Sequence, residues 1–82
     1  MGANEEYDGS TKRFERITVS ELTLAINETI LSKEDKRIAE LRYIELEPYE
    51  RIAEVMMLDK RTVRNRIKQI YPRIMWTIDK LL

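Results

Sequence analysis

The sequence predicts an all-α fold, a single domain of four to five helices behind a disordered N-terminal tail. Three observations predict it. Apolar residues recur at helical spacing in four stretches, around Leu22, Ile38, Ile52 and Val63. A residue suited to starting a helix stands before each stretch, in turn Thr18, Ser32, Pro48 and Asp59. The chain has 82 residues, which allows one domain with one modest core.

Residues 1–15, MGANEEYDGSTKRFE, hold both glycines and no apolar period, so the tail is assigned there and the domain to residues 16–82. Thr18 with Glu21 forms a capping box, and Ile17 with Leu22 the matching hydrophobic staple. Val19, Leu22, Ile26 and either Thr29 or Ile30 then face inward on a first helix. Its β-branched content makes that helix dependent on docking. Ser32 caps a second helix, from about Lys33 to Leu46, with Asp35 reciprocating and Ile38, Leu41 and either Ile44 or Glu45 inward. Pro48 ends it and is expected at the first position of a third helix, where a missing N–H costs nothing. That helix runs to about Met56. In the last segment Val63, Ile67, Ile70, Ile74, Ile78 and Leu81 fall within about 80° of one another at about 100° per residue. The stripe is continuous across Pro72, as one kinked helix or as two helices meeting near Tyr71.

Residues 49–67, YERIAEVMMLDKRTVRNRI, carry the most information. They read as two short helices joined by a tight turn. Ile52, Ala53 and Met56 supply the apolar face of the first, and Ala53 is small, as a close helix crossing requires. Asp59 stands where an N-cap must stand, and Leu58 before it pairs with Val63 as a staple. This is the pattern of a helix-turn-helix, whose second helix lies in the major groove of DNA. With Val63 pointing inward, Arg61, Asn65 and Lys68 lie almost opposite, flanked by Thr62, Arg64 and Gln69. Arginine donates twice to guanine, and asparagine or glutamine pairs with adenine. Lys60, Arg61, Thr62, Arg64, Asn65 and Lys68 are therefore the base-edge candidates. Tyr49, Arg66, Gln69 and Arg73 are the phosphate candidates. Packing against the second helix is an equal alternative for Tyr49, and a salt bridge is favoured for Arg66.

Composition narrows the chemistry. The chain has no cysteine and no histidine, so thiolate and imidazole metal sites are absent, as is the commonest general base. No glycine-rich phosphate loop occurs. Neither catalysis, metal nor cofactor is expected. The apolar runs are too short for a membrane span, the N-terminus lacks an apolar signal segment, and Glu6 replaces the Ser or Thr of a myristoylation motif. A cytoplasmic protein is expected. The formal net charge is zero, but its distribution is uneven. Residues 1–31 hold three basic and six acidic side chains, residues 32–58 five and seven, and residues 59–82 seven and two. Phosphate responds to the field within a Debye length, roughly 10 Å, so the cationic last third matters more than the total.

From Leu31 onward, LSKEDKRIAELRYIELEPYERIAEVMMLDKRTVRNRIKQI resembles region four of bacterial sigma factors and the small phage and prophage transcription regulators that share that helix-turn-helix. The residues that carry the resemblance are Leu31, Ile38, Leu41 to Glu45, Tyr49 to Glu54 and Leu58 to Ile67, within a matched stretch of about forty residues. The resemblance implies an all-α domain, promoter DNA bound by the second helix, base contacts from Lys60, Arg61, Thr62, Arg64 and Asn65, and contact with RNA polymerase. Two departures stand out. Leu46 and Met57 occupy positions where that family has glycine, which leaves room for a different turn shape. Pro48 replaces a Ser or Thr that contacts phosphate. The other regions of a sigma factor are missing, which favours a stand-alone regulator.

The expected activity is thus sequence-specific double-stranded DNA binding in transcription regulation. The alternatives are a helical adaptor that docks on an acidic partner such as RNA polymerase, or an accessory protein of DNA packaging or recombination. Ile74, Met75, Trp76, Ile78, Leu81 and Leu82 spread too widely round one helix for a single internal face. Either the first helix covers the surplus or a second subunit does, so a homodimer through this segment is expected.

Overall fold

The computed structural model describes residues 16–81; the tail expected over residues 1–15, and Leu82, lie outside the described residues. The described residues form four helices and no strand: α1 (Val19–Glu28), α2 (Lys33–Ala39, prolonged by a π turn over Glu40–Ile44), α3 (Tyr49–Met56) and α4 (Lys60–Leu81).

Local capping explains where the first two helices begin. The Glu21 N–H donates to Thr18 Oγ1 (3.1 Å) and the Thr18 N–H to Glu21 Oε1 (3.0 Å), which closes the capping box. At α2 the Asp35 N–H donates to Ser32 Oγ (3.1 Å). The Asp35 carboxylate does not serve as the reciprocal half of a box; it receives Arg66 of α4 at 2.7 Å. Pro48 stands one residue earlier than expected. It is the cap, with ψ of 160°, and Tyr49 is the first helical residue.

The π turn corrects the inward face of α2. One extra residue per turn rotates the register, so Ile38, Ala39, Leu41, Arg42 and Tyr43 are all buried and Ile44 is only partly so. Val19, placed inward by period alone, is exposed; of the alternatives Thr29 and Ile30, Thr29 is half-buried and Ile30 is exposed. Val19 precedes the docked part of α1, and Ile30 follows its end.

The last segment is one helix. α4 runs unbroken through Pro72 for 22 residues, about 33 Å at 1.5 Å per residue. It spans the longest dimension of the molecule, 33 Å. Pro72 is tolerated because it is exposed, as is Lys68, whose carbonyl loses its donor and faces water. α4 packs against each of the other three helices. Val63, Ile67, Ile70, Ile74 and Ile78 form the spine of the core and meet Leu22, Ala25 and Ile26 of α1, Ile38 and Leu41 of α2, and Ile52 of α3. Ile74 and Ile78 are therefore covered within the chain and cannot serve a dimer. Trp76 and Leu81 remain exposed.

Thr77, buried on α4, has its hydroxyl satisfied. It donates to the Arg73 carbonyl (3.1 Å) and lies 2.6 Å from Thr29 Oγ1 at the end of α1. No helix of the described residues is long and apolar enough to cross a membrane.

Candidate nucleic-acid interface

Three residues, Met57 to Asp59, join α3 to α4, and their backbone is fully determined. Met57 is left-handed (φ 59°, ψ 43°), and the Leu58 N–H donates back to the Ala53 carbonyl at 2.9 Å. This six-to-one bond with a weaker Met57-to-Glu54 bond (3.4 Å) is a Schellman termination. The different turn shape anticipated from the lack of glycine does not occur. The position keeps its left-handed backbone and Met57 bears the cost, about 1–2 kcal/mol. Leu46, the other expected glycine, is left-handed as well (φ 57°). There the Glu47 N–H reaches the Leu41 carbonyl at 2.9 Å, one residue further back, as the π turn requires.

Beyond the turn Asp59 starts α4. Its carboxylate accepts from the Thr62 N–H at 2.7 Å, and its carbonyl accepts from the Val63 N–H at 3.1 Å. The Thr62 N–H, then the Thr62 hydroxyl, hold the Asp59 carboxyl below the usual carboxylate range. Leu58 is half-buried beside a fully buried Val63, as the staple predicts.

The expected ridge separates into a free part and an engaged part. Arg61, Asn65, Lys68 and Gln69 are exposed on α4, and Lys60, Thr62 and Arg64 are half-exposed on its flanks. Behind them Val63 and Ile67 are buried. Arg66 is engaged: it pairs with Glu34 (2.9 Å) and Asp35 (2.7 Å) and so ties α4 to the first turn of α2. The Asp35 hydrogen bond, ahead of the Glu34 contacts, holds the Arg66 guanidinium above its ordinary value. Arg73 lies further along, exposed, and donates to the Ile30 carbonyl after α1. Tyr49 is a correction to the phosphate set. It is 2 % exposed, part of the core, with the Arg42 guanidinium 4.4 Å from its ring centroid.

The chain matches no family model, no curated protein and no solved structure.

Arg42 went unnoticed in the sequence. It is a buried arginine that donates to the Glu47 carbonyl (3.0 Å) while stacking on Tyr49, so one guanidinium fixes both the loop before α3 and the first residue of α3. The one available signal was its place inside the otherwise apolar LRYI run. Among the described residues no group of three acidic, cysteine or histidine side chains could hold a metal.

Proposed function

We propose that this chain binds double-stranded DNA sequence-specifically through the first half of α4 and acts in transcription regulation, with α3, the Met57–Asp59 turn and α4 working as a helix-turn-helix. The observation that carries the reading is the row Arg61, Arg64, Asn65 and Lys68. It faces away from the core on a helix braced from behind by Val63 and Ile67. Guanidinium and amide groups on a rigid rod suit base edges, and each good bidentate pair is worth about 1–3 kcal/mol of discrimination. Among the described residues the ion pairs that tie α4 to α2 run through Arg66, which is left as a positioning residue. Contact with RNA polymerase belongs to the same reading as a second partner.

The test is a titration of labelled duplex, selected from random sequences, at two salt concentrations. DNA binding predicts a log–log salt slope of about −0.9 per phosphate contact. The double variant Arg64→Ala, Asn65→Ala should lose sequence preference, with affinity for the selected duplex falling at least tenfold. A chain that binds no duplex at low salt would overturn the proposal and leave the adaptor reading in its place.

A further inference from the structure

An apolar groove of about 390 Å³ lies between the end of α1 and the second half of α4, beginning one helical turn beyond Lys68 and Gln69 of the ridge. Ile30, Pro72 and Trp76 supply its apolar lining, and Thr77 and Thr29 its floor. Ile30 is 85 % exposed and Trp76 63 %, so the two largest apolar side chains at its edge face water. Such pairs of apolar groups beside a concave surface mark association sites in folded proteins.

The rim carries both signs of charge. Glu28 stands on the α1 side and Arg73 on the α4 side, and the Lys80 ammonium lies 4.9 Å from the Trp76 ring centroid. A uniformly acidic or basic partner would leave one of these signs facing its like. A second copy related by a two-fold axis running along the groove would not, because each acidic rim then meets the partner's basic rim. The geometry points to self-association of this chain through the Ile30–Trp76 groove, each Trp76 entering the groove of the other copy and Glu28 facing Arg73 and Lys80 across the axis. The arrangement replaces the broader dimer surface expected from the sequence, since it uses Trp76 and Ile30 and leaves Ile74 and Ile78 in the core. It does not depend on DNA binding.

A contact confined to this groove is smaller than the roughly 800 Å² per partner of a standard stable complex, so the dimer is expected in the micromolar to millimolar range. Trp76 is the chain's single tryptophan and reports directly on the groove. Sedimentation velocity and tryptophan emission of the full 82-residue chain, from about 5 µM to about 1 mM, should show mass rising toward a dimer while emission shifts to the blue. Trp76→Ala should keep its helical circular dichroism and weaken association about tenfold or more. Glu28→Lys and Lys80→Glu should each remain monomeric alone and associate when mixed. Lys80 is chosen over Arg73 because Arg73 also holds the Ile30 carbonyl. A monomer across the whole range overturns the inference. So does an association that Trp76→Ala leaves intact, or a mixture that stays monomeric. Blue emission independent of concentration would mean that residues 1–15 of the same chain fill the groove, and would overturn it too.

Discussion

Two residues at the Met57–Asp59 turn set what single substitutions should do. Met57 is 90 % exposed and left-handed, so its side chain contributes little packing while its Cβ strains the backbone. Glycine removes that strain and adds some unfolded-state entropy. The balance predicts that Met57→Gly stabilises the protein by about 1 kcal/mol, a rise of several degrees in Tm by thermal melt. Asp59 makes the opposite kind of contribution. Its carboxyl titrates below its unfolded value because Thr62 donates to the ionised form. The cap is therefore at full strength above the unfolded-state pKa and is lost as pH falls through the lower folded one. Melts of the wild type should lose stability on acidification through the carboxylate range. Asp59→Asn, which still accepts from the Thr62 N–H, should flatten that part of the profile, and Asp59→Ala should lower Tm by a few degrees at neutral pH. A wild-type profile no steeper than that of Asp59→Asn would refute the assignment. The cap was legible because it is a local relation, an acceptor three residues before its donor. The burial of Arg42 was not. A cation reads as surface in a sequence, and only the folding of Glu47 and Tyr49 onto it supplies the carbonyl and ring that make an interior site tolerable.

At the scale of elements, α4 and the π turn of α2 show what periodicity does and does not reveal. The stripe from Val63 to Ile78 is regular enough to survive Pro72, and the core contacts of Ile70 and Ile74 on either side of the proline hold the helix together. Proline in a helix interior is about 3 kcal/mol worse than alanine, and its restriction of the unfolded chain returns up to about 1 kcal/mol. Pro72→Ala is thus expected to stabilise the fold by about 2 kcal/mol in urea unfolding, and no gain would mean that the proline costs this helix nothing. Which of one or two helices would form was beyond the sequence, since the answer lies in α1 covering Ile74 and Ile78. The π turn was equally hidden. Its cause is tertiary, the need to bury Leu41, Arg42 and Tyr43 together, and a 3.6-residue wheel cannot express it.

The whole molecule is neutral, yet its charge is sorted along the chain, and the fold keeps that sorting useful. Among the described residues, Glu34 and Asp35 of α2 hold Arg66 of the cationic helix. Of the other described ion pairs, that of Arg37 with Glu40 and Glu45 lies on α2 and the end of its π turn, and that of Arg51 with Glu54 lies within α3. Exposed pairs of this kind contribute roughly 0–1 kcal/mol each. The helix starts and the buried stripe of α4 could be read from residue order, because caps and stripes are short-range, whereas the buried face of α2 could not. The neighbours of each helix, and so the groove beside Trp76, depend on chain reversal at residues 29–32 and 45–48, for which the sequence offers only turn residues.

Asn65 and Trp76 sit on one uninterrupted rod, eleven residues or about 16 Å apart along its axis. A lever of that kind has no slack: whatever tilts its far end swings the near end with it. A partner on the indole and a partner on the amide would therefore meet at a separation and an angle fixed in advance by one helix.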